Sequence, residues 1–233
     1  MQAPIRPAAA PGRTSGIDAS MMLYQRREVV LAACFAALAG YVDALGFITL
    51  GGFFVSFMTG NTTRLGIELA RGNLGGIALA GSVIVLFVCG VVLGSLVGHF
   101  AGRDRPPAVL GVVTVLLALA AMMETSGLTL PAVGLLAVAM GAENAVFQRD
   151  GEVTIGLTYM TGTLVKLGQR IAAATIGGPK LAFFRHFLLW LGLMGGAFVG
   201  AAMHNLIGLN AIWLAAAAAT AMTFAALLFL RDG

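Results

Sequence analysis

Apolar residues dominate six separate stretches of the chain, and each stretch is long enough, some only just, to cross the roughly 30 Å hydrocarbon core of a membrane as a helix. Charged residues lie mostly between these stretches. The pattern therefore predicts six transmembrane helices. Their expected bounds are Glu28–Phe47, Ile77–Phe100, Val109–Thr125, Pro131–Phe147, Phe187–Ile207 and Ala211–Leu230.

Two further stretches, 49–70 and 154–174, are moderately apolar but are interrupted by glycine and polar residues. In the first, the extended-looking Phe53–Phe57 precedes a helical start at Met58-Thr-Gly, and the second contains a matching Met160-Thr-Gly. Non-helical backbone at membrane depth is tolerated only where protein buries it or water reaches it. We therefore predict that both are broken, re-entrant segments. If both cross instead, the chain has eight membrane segments.

The order of features repeats along the chain. Gly40-Tyr-Val-Asp-Ala44 corresponds to Gly141-Ala-Glu-Asn-Ala145, and each is followed by a Met-Thr-Gly element and a glycine-rich span. This order predicts two diverged three-span copies, residues 28–126 and 131–230. With six spans the second copy is inverted relative to the first, as in many secondary transporters, whereas eight segments make the copies parallel.

Composition excludes a soluble domain and suits packed membrane helices. Hydrophobic residues make up 59% of the chain and charged residues 10%, against about a quarter charged in soluble domains. Many of the 32 glycines fall at four-residue spacing, which puts them on one helix face and permits close backbone contact between the halves or in a dimer seam. The two ladders are Gly90, Gly94, Gly98 and Gly192, Gly196, Gly200.

The basic residues indicate the orientation. In the six-span arrangement only Arg64 and Arg71, of fourteen Lys and Arg, lie opposite the N-terminal side. The positive-inside rule then predicts cytoplasmic N- and C-termini. Residues 1–27, with three prolines and four arginines, are expected to form a disordered basic tail on that side. No basic stripe suited to nucleic acid is present in the sequence.

The Met-Thr-Gly elements are the candidate binding site. A helix that starts inside the membrane presents free N–H groups and a positive dipole end, which favour a polar or anionic solute. Thr59 or Asn61, and Thr161 or Thr163, are expected to cap these starts. The alternative is a tight interfacial turn that packs loops. The predicted substrate-binding residues are Thr59, Gly60, Asn61, Thr62, Thr161, Gly162 and Thr163.

Two carboxylates in apolar surroundings, Asp43 and Glu143, are candidates for proton coupling, because a membrane carboxylate is costly unless it faces a cavity or a partner. Alternatively, Asp43 lies at headgroup level or pairs with Arg64. Glu68 is expected to pair with Arg64, with Arg71 on the same side. The supporting site residues are Arg64, Asn144 and Lys166.

Other features point away from catalysis. Lys166 and Arg170 share the four-residue spacing but carry like charges, so they are expected to anchor the helix at lipid headgroups or to meet substrate. Cys34 and Cys89 lie in apolar runs and are expected to be buried free thiols. The sequence contains no metal-binding cluster, cofactor motif or catalytic motif, so we expect neither an enzyme nor a metal site.

The motifs Gly40-Tyr-Val-Asp-Ala-Leu-Gly-Phe47 and Met58-Thr-Gly-Asn-Thr62 resemble the YoaK-like family of bacterial inner-membrane proteins. The family's later motif usually reads Gly-x-Gln-Asn-Ala, and Glu143 occupies its glutamine position here. The resemblance implies a multi-pass protein of the bacterial inner membrane, sometimes called a permease. The leading hypothesis is a small secondary transporter, with a homodimer possible. The alternative is a non-transporting membrane scaffold or partner subunit.

Overall fold

The computed structural model describes residues 15–146, 148–149, 152–153 and 160–229, and within them the chain is mostly helical, with one short ribbon and non-helical links between helices. Strands Gln148–Arg149 and Glu152–Val153 pair antiparallel. Single 3₁₀ turns, Gly102–Asp104 and Gly208–Ala211, precede α4 and α8. The helices are α1 Ser15–Thr49, α2 Met58–Arg71, α3 Leu74–Ala101, α4 Arg105–Thr125, α5 Thr129–Glu143, α6 Met160–Thr175, α7 Phe184–Ile207 and α8 Ile212–Phe229.

The six apolar stretches coincide with α1, α3, α4, α5, α7 and α8. Helix α1 begins at Ser15, so the tail predicted for residues 1–27 is helical in its second part, while residues 1–14 lie outside the described residues. Phe147 and Leu230, the expected ends of two spans, also lie outside them.

Four stretches among the described residues are long and apolar enough to cross a membrane: Val29–Thr49, Leu74–Ala101, Arg105–Thr125 and Phe184–Leu228. The last contains both α7 and α8. Helix α5 has 15 residues and at about 1.5 Å per residue is shorter than the hydrocarbon core. These helices are consistent with a polytopic membrane protein.

Helices α1 and α7 pack closely through the second glycine ladder. A Cβ atom on any of the three glycines would overlap the backbone of α1, so only glycine permits this approach. Residue numbers rise together along both helices, which shows that the helices run parallel. The contacts pair Gly192 with Ala33, Gly196 with Ala37 and Gly200 with Tyr41.

Helices α3 and α5 pack in the same way. Gly90 lies against the backbone of Val138, and Gly94 lies against that of Ala142. These residue numbers also rise together, so α3 and α5 are parallel. The ladders thus join the N-terminal and C-terminal halves of the chain, which is the first of the two alternatives that their spacing allowed.

Two glycines on the opposite sides of these contacts complete the packing. Gly40 of α1 lies against the backbone of Leu193 in α7, and Gly141 of α5 lies against that of Phe87 in α3. Each parallel pair therefore uses small residues on both helices, which brings the two backbones into contact.

Helices α4 and α8 fill the space between the two parallel pairs. The Tyr41 hydroxyl donates a hydrogen bond of 2.9 Å to the carbonyl oxygen of Ala211, just before α8. Ala226, near the other end of α8, packs in one cluster with Ala32 and Phe35 in the middle of α1. Helix α8 is therefore antiparallel to α1. The hydroxyls of Thr114 in α4 and Thr223 in α8 lie 3.1 Å apart.

Two details differ from the expectations. Cys34 and Cys89 are free thiols, as expected, but both are exposed on the outside of the helix bundle rather than buried. Lipid-facing and core-facing positions are equally apolar in a membrane helix, so an apolar run does not distinguish them. Gly98 faces the side chain of Arg105 instead of a partner helix, so it does not extend the first ladder's contact with α5.

Candidate functional site

A non-helical link, residues 50–57, joins α1 to α2. Gly51 and Gly52 have φ angles of 62° and 104°, in the region that strongly favours glycine. The Gly52 amide donates a hydrogen bond of 2.8 Å to the Phe47 carbonyl oxygen, which closes the end of α1. The chain then runs without helical structure through Phe53–Phe57, as the sequence predicts.

The Asp43 carboxylate holds this link against α1. Its Oδ1 accepts hydrogen bonds from the backbone amides of Val55, at 2.7 Å, and Ser56, at 2.8 Å. Hydrogen bonds to a carboxylate are stronger than those between neutral groups. The alternative in which Asp43 pairs with Arg64 is wrong, because the Arg64 guanidinium lies over the Phe53 ring, 5.0 Å from its centre.

Asn61 fixes the link from the other side. Its Oδ1 accepts a 2.9 Å hydrogen bond from the Phe54 amide, and its Nδ2 donates one of 2.6 Å to the Phe54 carbonyl oxygen. The side chain is fully buried. These two bonds pair Asn61 with the backbone of one residue, as a neighbouring strand would.

The prediction that Thr59 or Asn61 caps α2 is therefore wrong. The N-cap residue is Phe57, and it makes no side-chain capping bond. The Asn61 side chain turns back to the link, and the Thr62 hydroxyl donates to the Met58 carbonyl oxygen of its own helix at 2.8 Å. The residue before α6 lies outside the described residues, so the capping expected from Thr161 or Thr163 stays a prediction.

The two Met-Thr-Gly elements meet at one cavity of about 260 Å³. It lies between the first turns of α2 and α6 and the middle of α3. Of the predicted binding residues, Thr59, Thr161 and Gly162 line it. The sequence reasoning missed the rest of the lining, although the Met of each Met-Thr-Gly was a usable signal. The missed residues are Ser56, Phe57, Met58, Phe87 and Met160.

The other predicted binding residues lie beside the cavity. Asn61 and Thr163, at the same position of each element, are both buried. A Cβ on Gly60 would meet the Phe57 ring at 2.6 Å, so Gly60 lets that ring fold over the helix. Thr62 is exposed and does not line the cavity. Asp43 reaches the cavity only through the backbone of Ser56.

Glu143 is fully buried at the end of α5. Neither of its carboxyl oxygens has a hydrogen-bond partner within the described part of the chain. The neighbouring Asn144 donates a 2.9 Å hydrogen bond to the Met140 carbonyl oxygen. Neither residue lines the cavity, but Ala145, directly after them, packs in one cluster with Met160 of the second element.

The predicted ion pair of Arg64 with Glu68 is wrong. The Glu68 carboxylate instead accepts hydrogen bonds from the Arg71 guanidinium at 3.4 Å and from the side-chain Nδ2 of Asn73 at 2.6 Å. Contact with the Phe53 ring draws the Arg64 guanidinium away from Glu68. Lys166, the remaining supporting residue, lines a second cavity together with Gln169, Arg170, Ala173, Arg185 and His186, which we call the basic cavity.

Comparison with known proteins identifies the family. The profile described as "Protein of unknown function (DUF1275)" matches residues 31–225, which is most of the chain. The chain belongs to this family. The DUF1275 match includes both motifs on which the YoaK-like resemblance rests, Gly40–Phe47 and Met58–Thr62.

Two relatives of this DUF1275 protein are named transmembrane proteins. The UPF0700 transmembrane protein RA0705 of Rhizobium meliloti (strain 1021) is 37% identical over 208 residues, which cover 88% of this chain and 90% of that protein. The UPF0700 transmembrane protein YoaK of Bacillus subtilis (strain 168) is 28% identical over 141 residues, which cover 58% of this chain and 63% of that protein. No solved structure matches the chain. Together with the apolar helices, these relatives establish a multi-pass membrane protein.

Proposed function

We propose that the chain is a small secondary transporter whose solute binds between the two Met-Thr-Gly elements. The observation that carries the proposal is that Thr59 of α2 and Thr161 of α6, which are 102 positions apart in sequence, line the same cavity. Paired broken segments that converge on one cavity are a recurring arrangement of transporter binding sites.

The proposal includes an internal repeat, with α1 to α4 equivalent to α5 to α8. Its support is that the glycine contacts correspond pairwise. Gly196 lies against Ala37 as Gly90 lies against Val138. The same shift along each helix relates Gly200 and Tyr41 to Gly94 and Ala142. The first helix of each half thus packs on the third helix of the other half.

We also propose six spans, with α2 and α6 re-entrant from opposite sides. Helix α2 starts at the cavity beside the middle of α3, and the Glu68 side chain near its end lies against Gly76 at the start of α3. Helix α2 therefore runs from the level of the cavity back to the end of the bundle where α3 begins. Ala145, just after α5, and Leu189, near the start of α7, pack in one core cluster, so α6 returns to the opposite end.

The orientation follows from charge. Helix α2 carries Arg64 and Arg71, whereas the other basic residues lie towards the opposite end in this arrangement. The positive-inside rule then favours both termini on the cytoplasmic side of a bacterial inner membrane.

The lining of the cavity suits a small solute that has both a polar or anionic group and an apolar part. The hydroxyls of Ser56, Thr59 and Thr161 provide hydrogen bonds, and the first turns of two helices face the same space. The apolar contacts come from Phe57, Met58, Phe87 and Met160.

Within this proposal the two carboxylates have different roles. Asp43 is a positioning residue, because both of its hydrogen bonds go to the backbone of the link that lines the cavity. Glu143 is the better candidate for a proton carrier. A buried carboxylate that has no hydrogen-bond partner among the described residues is costly when charged, which favours the neutral acid until a conformational change brings water to it.

Filling the cavity tests the transport proposal. In Gly162→Phe the new ring has open space at its Cβ position and extends into the cavity, so we expect the protein to fold and solute uptake to fall at least tenfold. Uptake by purified protein in liposomes, measured over a broad panel of small polar and anionic solutes, provides the readout.

Gly168→Phe is the matched control. Gly168 also lies in α6 with open space around it, but it does not line the cavity. Uptake that is unchanged in Gly162→Phe, or absent from the wild-type protein for every solute, would contradict the proposal.

Removing the Glu143 carboxyl group tests proton coupling. Glu143→Gln keeps the shape of the side chain and breaks no hydrogen bond within the described residues. We therefore expect normal folding, and uptake that no longer responds to an imposed pH gradient across the liposome membrane. If the variant responds to the gradient as the wild-type protein does, Glu143 is not the coupling residue.

A second candidate function is that of a non-transporting membrane scaffold or partner subunit, whose partner is another protein or a second copy of this chain. Thr59, Thr161 and Gly162 are exposed on the surface of the single chain, so another subunit could cover the cavity. Under this alternative Gly162→Phe disrupts co-purification of a stoichiometric partner, and liposomes show no uptake at all.

A further inference from the structure

The basic cavity is separate from the Met-Thr-Gly cavity. It has a volume of about 360 Å³ and lies between the middle of α6 and the start of α7. Lys166 and Arg170 come from successive turns of α6, and Arg185 and His186 come from the first turn of α7. Two helices therefore contribute charged groups to one open cavity on the surface.

These cations are not neutralised by the described part of the chain. Lys166, Arg170 and Arg185 make no ion pair with any described acidic side chain. All three are exposed, and an anion that enters the cavity meets three positive charges at once. Gln169 adds a neutral donor, and His186 is buried beside the charges with 8% of its surface exposed.

Exposed apolar side chains surround the link between α6 and α7. Ile176 is 87% exposed, Leu181 77% and Phe184 53%. Such side chains are stable on the surface of a membrane protein only where they meet lipid tails or another protein. A site that has cations with apolar side chains beside them matches the charged headgroup and the acyl chains of an anionic lipid.

We propose that the basic cavity binds a phosphate-bearing anion through Lys166, Arg170 and Arg185. Guanidinium groups bind phosphate oxygens in pairs of hydrogen bonds, and the lysine ammonium adds a point charge. The neighbouring apolar surface favours the headgroup of an anionic membrane lipid over a free phosphate. This site is independent of solute transport, because none of its residues lines the Met-Thr-Gly cavity.

Binding of soluble probes to the purified full-length protein in detergent tests the site. The probes are dioctanoyl phosphatidylglycerol, dioctanoyl phosphatidylcholine and inorganic phosphate, each titrated while heat flow and unfolding temperature are recorded. We expect saturable binding of the phosphatidylglycerol that is about tenfold weaker in Arg170→Gln. Arg170→Lys is expected to fall between the two, because it keeps the charge but loses the paired hydrogen bonds of the guanidinium.

Lys180→Gln is the matched control, since it removes one exposed cation between the same helices without altering the cavity lining. Lys166→Gln provides a second variant if Arg170→Gln lowers the unfolding temperature without ligand. Phosphatidylglycerol binding that phosphate does not displace identifies a lipid site, and binding of phosphate alone identifies a soluble ligand; either supports the proposal. Equal affinities in Arg170→Gln, Lys166→Gln and Lys180→Gln overturn it.

Discussion

Replacing Asp43 with alanine is expected to destabilise the folded protein by about 3 kcal/mol or more, because hydrogen bonds to a charged group contribute roughly 1.5–3 kcal/mol each. The variant loses the acceptor of both the Val55 and the Ser56 amides, at 2.7 Å and 2.8 Å. Val55 and Ser56 are buried, so water cannot readily replace the carboxylate.

Asp43→Asn separates the role of the oxygen from that of the charge. The asparagine Oδ1 can accept both amide hydrogen bonds, so we expect a loss of only about 1 kcal/mol. Unfolding curves of the wild-type protein and both variants in the same detergent provide the comparison. Equal and small losses in Asp43→Ala and Asp43→Asn would show that these hydrogen bonds do not hold the link.

The same pair of variants separates positioning from proton transfer. If Asp43 only positions the link, Asp43→Asn retains uptake and its response to a pH gradient. If Asp43 carries the proton, the variant folds but loses that response. The proposed function survives the first result unchanged, and the second transfers the coupling role from Glu143 to Asp43.

The apolar pattern predicts the helices well because membrane depth imposes a minimum length on each apolar run. The first break was also predictable, since Gly51 and Gly52 interrupt it where the chain leaves α1. The local sequence could not show which side chains the breaks would meet. Phe87, in the middle of α3, reaches the cavity because α3 packs on α2 and faces the same cavity as the start of α6.

Polar side chains were harder to assign than helices. Asn61 has the position expected of a helix cap, yet it bonds to Phe54, because the link folds back over the first turn of α2. Arg64 has the spacing for an ion pair with Glu68, yet it lies over an aromatic ring. Sequence spacing predicts which partners a side chain can reach within its own helix. A link that folds back onto the helix adds partners that this spacing does not reveal.

Gly196→Ala is expected to destabilise the packing of α1 against α7 by about 2–3 kcal/mol, in the range for overpacked sites. A Cβ at this position would overlap the backbone of Ala37, which cannot move without shifting all of α1. Gly195→Ala is the matched control, because the adjacent position has no atom within 4 Å of its Cβ. The control is expected to be neutral or to stabilise the helix by up to about 1 kcal/mol.

Gly90→Ala extends this test to the other parallel pair. Its Cβ would overlap the backbone of Val138 as that of Gly196 overlaps Ala37. If the halves are copies of one unit, Gly90→Ala and Gly196→Ala should lower the unfolding temperature by similar amounts, while Gly195→Ala does not. Losses as large in Gly195→Ala as in Gly196→Ala would mean that helix flexibility, rather than close contact between the halves, accounts for glycine at these positions.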